Sequence, residues 1–241
     1  MDGYSHLVVG IPHANGQAAN AAQWERDPQV TAARDRWTDW FTDELFGQKM
    51  GGVYLVTDAP CRFDCDVERL EGEPDRLCRH RLIDGCAVTS QETNRSLAAW
   101  FLYRAHLMEA ASRGIAPLII DAHSFPSDLA PEVDVCLGVN DDASCPPDEV
   151  LDLTARTFED VGYRVSFNHP YGNAIAPVGY AGHSLMIELN KRCYMDERTL
   201  RKTAGATRIA TILRGLYAQL LRPSATARRK DDTLRKENPQ P

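Results

Sequence analysis

Leu118-Ile119-Ile120-Asp121-Ala122-His123-Ser124-Phe125-Pro126-Ser127 is an apolar, β-branched run that stops at a carboxylate. One small residue later comes a histidine, then small polar residues and a proline. The pattern predicts a buried strand that carries Asp121 and His123 to its C-terminal end, where the chain breaks into a loop. Open α/β sheets hold their chemistry at that edge. Two apart on an extended chain, Asp121 and His123 point the same way. A carboxylate beside an imidazole is the arrangement that fixes the tautomer of a metal-binding ring. The alternative is a strand-end histidine that binds nothing.

Immediately upstream, Asn94 to about Arg113 reads as a long helix ended by Gly114, with Leu97, Trp100, Phe101, Ala105 and Met108 as one apolar stripe. A helix leading into a strand fits α/β architecture with parallel crossovers. At the start of the chain the apolar run His6–Ile11 is followed by Pro12-His13-Ala14-Asn15-Gly16, so a second strand delivers a second histidine to a tight loop. Asp27 as cap and Pro28 at the first helical position open a helix expected to run to about Phe46, stopped by Gly47. On it Asp35, Asp39 and Asp43 recur at four-residue spacing. They form either a solvated acidic face or the source of a third metal ligand. After a short strand at Val53–Thr57, Arg62, Asp64, Asp66, Glu68 and Arg69 cluster without a period. They are either solvated loop charges or a pocket wall whose arginines hold a carboxylate by bidentate pairing. Residues 71–93, with mixed charge and weak periodicity, read as an excursion from the domain.

Downstream, Pro131–Gly138 reads as a short strand, about Pro147 to Val161 as a helix, and Tyr163–Phe167 as a strand. Turn-rich stretches around Tyr171-Gly172-Asn173 and Gly179–His183 lead to the strand Ser184–Asn190. In that strand Glu188 sits inside Leu-Met-Ile-Glu-Leu, where a charge is costly unless it is exposed or used. It is either solvent-facing on an edge strand or a cleft carboxylate with a raised pKa, suited to general base work. A last helix spans about Glu197 to Leu221, giving one domain over residues 1–221. The polar tail, residues 222–241, is expected to be disordered.

Composition narrows the function. A net charge of −7 argues against a broad nucleic-acid surface, and no run of 18 apolar residues is present to span a membrane. The N-terminus enters a strand without a signal peptide, so a cytoplasmic location is expected. Seven cysteines, an odd number, predict free thiols. Cys61, Cys65, Cys78 and Cys86 fall close together, but their spacing matches no common zinc module well.

Two strand-end histidines, a helix bearing aspartates and a strand glutamate together suggest a mononuclear zinc hydrolase. Zinc with three protein ligands keeps a fourth position for water, lowers its pKa and polarises a carbonyl. A nearby glutamate then moves the proton to the leaving amine. Paired arginines suit an anionic substrate.

The chain resembles the N-formylglutamate amidohydrolase family. The resemblance rests on Ile11-Pro12-His13 with Gly16, Thr38-Asp39-Trp40, Arg62 followed by Asp66-Val67-Glu68-Arg69, and Asp121-Ala122-His123-Ser124-Phe125. Pro170-Tyr171-Gly172, Ile187-Glu188-Leu189-Asn190 and Tyr194-Met195 complete it, in the same order over roughly residues 6–200. It implies a three-layer, zinc-exopeptidase-like α/β fold with a mixed central sheet flanked by helices. It implies one Zn²⁺ per chain on His13, Asp39 and His123, with Asp35 as the fallback carboxylate, and Glu188 as general base. Arg62 and Arg69 would hold substrate carboxylates, Asp66 would orient them, and Tyr171, Asn173 and Tyr180 would line the pocket. The implied reaction is N-formyl-L-glutamate and water to formate and L-glutamate, in histidine catabolism. Glu68 stands where the family commonly has asparagine. The competing functions are hydrolysis of another small N-acyl amino acid or a peptide, and a non-catalytic carboxylate-binding protein. A serine nucleophile is disfavoured because Ser124 lacks a G-x-S-x-G elbow.

Overall fold

The computed structural model describes residues 3–17, 27–69, 88–114, 117–177 and 179–221. Cys78, Cys86, most of the excursion expected at 71–93 and the tail 222–241 lie outside these residues. Six strands form one sheet: β1 (Leu7–Gly10), β2 (Val53–Val56), β3 (Leu118–Phe125), β4 (Val135–Gly138), β5 (Val165–Phe167) and β6 (His183–Asn190), in the order β2-β1-β3-β6-β4-β5. β2, β1, β3 and β6 run parallel, whereas β4 pairs antiparallel with β6 and parallel with β5, so the sheet is mixed as expected.

The pleat separates two cores. Leu7, Val9, Ile11, Leu118, Ile120, Ala122, Leu185, Ile187 and Leu189 face one side. There they pack against Ile209, Leu213, Leu216 and Tyr217 of the C-terminal helix α5 (Ala204–Leu220), and against Val150 and Phe158 of α4 (Asp148–Glu159). Val8 and Ile119 face the other side, against Trp100, Tyr103 and Leu107 of α3 (Ser90–Ala111). The alternation then puts Asp121, His123, Met186 and Glu188 on the α3 side, where the cleft opens.

Four expectations are corrected. β3 does not break into a loop after His123; it continues to Phe125 with all eight residues buried, because β6 pairs with its whole length. The single helix expected over 28–46 is two, α1 (Pro28–Trp37) and α2 (Thr42–Phe46). Thr38 leaves the helix in extended conformation and Phe41 takes a left-handed φ of 68° before the chain turns again. α3 begins earlier than Asn94: Thr89 caps it and forms a reciprocal capping box with Glu92, a spacing present in the sequence. The last helix begins not at Glu197 but at Ala204, capped by Thr203, after a 3₁₀ turn (Lys191–Cys193) and a small hairpin of β7 (Met195–Asp196) and β8 (Arg201–Lys202). Cys61, Cys65, Cys136, Cys145 and Cys193 are free thiols. Among the described residues no helix is long and apolar enough to cross a membrane.

Candidate active site

A cleft of about 700 Å³ opens on the α3 side of the sheet, and its floor is a cluster of histidines and carboxylates. Each member arrives by a different route. His13 follows β1 in a loop whose Gly16 lies against Trp40: a Cβ there would sit 2.2 Å from the indole ring, so a larger residue would displace the turn. Asp39 comes from the break between α1 and α2. Its backbone N–H donates to the His13 carbonyl at 3.0 Å, and the Asp39 carbonyl accepts from the Thr42 hydroxyl at 2.7 Å. The break removes Asp39 from the exposed row it would share with Asp35 and Asp43 on a continuous helix, leaving it 1 % exposed. Asp35 instead pairs with Arg34 at 3.0 Å and lies apart from the cluster. His123 comes from β3, and Glu188 is its register partner on β6. Since β6 lies between β3 and β4, the solvent-facing edge position considered for Glu188 does not occur.

The histidines are held in matching ways. His13 Nε2 lies 3.0 Å from Asp66 Oδ1, and His123 Nε2 lies 2.9 Å from Asp121 Oδ1. Each outer ring nitrogen therefore donates to a buried carboxylate, which leaves each Nδ1 facing Asp39. His123 Nδ1 is 3.2 Å and His13 Nδ1 3.7 Å from Asp39 Oδ2. Ligand atoms of His13, Asp39 and His123 all fall within 4.8 Å of one another. His13 Nδ1 and Asp39 Oδ1 are buried without a hydrogen-bond partner. Two imidazole nitrogens and one carboxylate oxygen at this spacing form a donor set that a divalent metal of the zinc type accepts, and the unmet polar atoms are what such an ion would satisfy.

The electrostatics agree. Burial opposes a charged His123 ring, but the Asp121 and Asp39 carboxylates outweigh it and hold its pKa well above the ordinary value. Burial likewise opposes ionised Asp39, yet the hydrogen bond from His123, the nearby His13 ring and the Arg62 charge hold it far below the usual carboxylate range. The cage thus favours positive charge at its centre. Burial pushes the Glu188 carboxyl up to about 8, and Glu188 Oε2 is buried without a partner.

The proposed anion-binding arginines are partly committed. Arg62 donates to the Trp37 carbonyl at 2.8 Å and pairs with Asp66 at 3.4 Å and Asp39 at 4.0 Å. Arg69 Nε lies 3.3 Å from the same Asp66 carboxylate. Tyr171 and Asn173 line the cleft. Tyr180 does not: its hydroxyl donates to the carbonyls of Pro117 and His183, and it packs with the α3-side core.

Sequence reasoning put Glu68 beside the proposed anion site without giving it a role, and missed Arg104 as a cleft residue, along with the clamp on the cleft wall. Arg104 belongs to a helix read as purely packing, and nothing local marks it. Asn140 brackets Ala174, donating to its carbonyl at 3.1 Å and accepting from its N–H at 3.0 Å. Asp121 Oδ2 accepts the Ile175 N–H at 2.9 Å. Asp121 therefore ties the His123 ring and the wall segment together.

A family model for N-formylglutamate amidohydrolase matches residues 5–195. Among solved structures, the fold is similar to the crystal structure of N-formylglutamate amidohydrolase from Ralstonia eutropha JMP134, with a TM-score of 0.71 and 22% identity over 91% of this chain and 93% of that one. It is also similar to the gene product Atu2144 from Agrobacterium tumefaciens, with a TM-score of 0.55 and 16% identity over 91% of each chain. No match was found among curated proteins. By the extent of the family match, the chain belongs to the N-formylglutamate amidohydrolase family.

Proposed function

We propose that this protein is a zinc-dependent hydrolase that cleaves the amide bond of a small N-formyl or other N-acyl amino acid, with N-formyl-L-glutamate the first compound to assay. The observation that carries the reading is Glu188 in register beside His123, facing a His13, Asp39 and His123 cage with unmet buried donor atoms. When bound there, zinc would polarise the scissile carbonyl and lower the pKa of water.

The chain's own residues supply the rest. Glu188, unpartnered at one oxygen and with a pKa raised to about 8, is suited to take a proton from the attacking water and return it to the leaving nitrogen near neutral pH. Asp66 and Asp121 hold the outer nitrogens of the two histidines, fixing ring orientation and tautomer. Arg69, about a third exposed, can meet the substrate's α-carboxylate at the cleft wall. Arg62 sits deeper, against Asp39 and Asp66, where it offsets their charge.

The test is formate release from N-formyl-L-glutamate by zinc-loaded protein, with Glu188→Gln as control. Loss of at least about 100-fold in kcat with zinc content unchanged is expected for removal of a general base. Loss of zinc in the variant would contradict the role given to Glu188. Zinc binding without formate release would favour the second reading, another small N-acyl amino acid, which the presence of Glu68 in the cleft also supports.

A further inference from the structure

The segment from Arg36 to Asp39 carries the chain out of α1 and into the cage, and other parts of the molecule hold its backbone. A helix leaves its last four carbonyls without partners inside it. At the end of α1 the Arg36 carbonyl accepts from the Lys191 ammonium, and the next one, that of Trp37, accepts from Arg62 at 2.8 Å. Two residues on, the Asp39 N–H donates to the His13 carbonyl at 3.0 Å. Arg62 also faces the cleft, where it pairs with Asp39 and Asp66. Lys191 is 1 % exposed and takes no part in lining the cleft. Burial pushes its ammonium down to about 8, against the pull of Asp39, Glu197 and Glu188. A methionine would fill much the same space with no charge to bury.

The place of Lys191 in the chain supplies a reason for the charge. It stands three residues after Glu188, where β6 passes into the 3₁₀ turn. Asn190 fixes that point: its side chain accepts from the Arg192 N–H at 3.2 Å and donates to the Val133 carbonyl at 2.8 Å. One anchored segment thus carries both Glu188 and the ammonium that ends on α1. We propose that Lys191 is a positioning residue of the active site: its hydrogen bond to the Arg36 carbonyl ties the strand bearing Glu188 to the segment bearing Asp39, and so fixes the general base relative to the metal ligand. The inference rests on the hydrolase reading above and adds to it a residue outside the cleft. A cation is the fitting donor, since the C-terminal end of a helix carries partial negative charge. Without it the Arg36 carbonyl loses its donor, the end of α1 shifts, and Asp39 moves with it. A displacement of about 1 Å at such a group can cost on the order of 100-fold in rate.

The experiment compares the full chain with Lys191→Met, which keeps the stem and removes the donor and its charge. Zinc affinity is read by chelator competition, kcat and KM by formate release from N-formyl-L-glutamate at saturating zinc, and local order by amide hydrogen exchange of the metal-free protein. Zinc affinity should fall by at least about tenfold. A fall of at least about tenfold in kcat is expected, with KM changed far less. Amides of residues 38–42 should exchange faster in the variant, and those of β3 should not. Zinc affinity and kcat within about threefold of wild type, or exchange that rises equally in β3, would overturn the proposal, since a merely structural role gives the latter. Should wild type bind no zinc or release no formate, the hydrolase reading fails separately, and exchange decides: acceleration confined to residues 38–42 supports the link, and unchanged or uniform exchange overturns it. Should Lys191→Met fail to fold, Lys191→Gln, neutral but still polar, is read by the same criteria. If neither folds, Lys191 supports the fold at large and the proposal is overturned.

Discussion

Asp66→Asn tests whether the cage is built around a metal. Asp66 is 1 % exposed and meets His13 Nε2 at 3.0 Å, the Glu68 N–H at 3.3 Å, Arg62 at 3.4 Å and Arg69 at 3.3 Å. Asparagine keeps the volume and one acceptor oxygen, so the His13 hydrogen bond can survive, but the charge is lost. Two effects then act on the centre. The His13 ring loses the negative partner that makes Nδ1 a better ligand, and Arg62, 4.0 Å from Asp39, loses its main counter-charge and draws harder on that carboxylate. Partners of this kind are worth 10- to 100-fold in metal affinity, or about 1.4–2.7 kcal/mol. The assay is zinc affinity by competition with a chromophoric chelator at fixed pH, with melting of the metal-free protein as the check on folding. Asp35→Asn is the control, because Asp35 pairs with Arg34 away from the cage. A 10- to 100-fold weakening in Asp66→Asn alone is expected. Affinity within about threefold of wild type in a folded Asp66→Asn, below the lower bound of this range, would refute the reasoning.

Three further outcomes follow from other parts of the structure. Asn140→Ala removes both hydrogen bonds that bracket Ala174, so the wall carrying Tyr171 and Asn173 loosens. KM should rise by up to about thirtyfold, from two bonds of about 1 kcal/mol each, with kcat much less affected; an unchanged KM would free Asn140 from this role. Gly138→Ala places a Cβ 2.3 Å from both the Asn173 carbonyl and Met186 Cε. Overpacking of about 1–3 kcal/mol should lower Tm by roughly 3–10 °C, read by calorimetry, and an unshifted Tm would contradict the close approach. Hydrogen bonds from Arg164 and Arg192 overcome burial to bring the Asp134 carboxyl down to about 2. A depressed carboxylate contributes stability above its unfolded pKa near 3.8, and that stability is lost as pH falls through about 2. Denaturant midpoints between pH 5 and pH 2 should therefore fall less steeply in Asp134→Asn than in wild type; parallel slopes would exclude Asp134 as a source of acid sensitivity.

Much of this protein was determined by local pattern. The β-branched run before Asp121, the apolar run before His13 and the alternation around Glu188 each specify a strand, because a period of two puts every second side chain on one face whatever surrounds it. The order of those segments and their flanking loops was enough to recognise the family. The tertiary structure decided what happens where local signals conflict or are silent. Asp35, Asp39 and Asp43 are equivalent in a continuous helix, and only the break at Thr38, held by the His13 carbonyl and the left-handed Phe41, turns Asp39 inward. Glu188 was ambiguous as a charge in an apolar strand until pairing with β3 and β4 on either side placed it beside His123. Tyr180 lay in a loop like those of the cleft, yet its hydroxyl finds the carbonyls of Pro117 and His183. Arg104 is one more polar residue on a packing helix until the sheet brings Glu68 into the same cleft. Local sequence sets which way a side chain leaves its own element; which charges then share one buried space depends on pairings between segments far apart in the chain, and no single stretch encodes those.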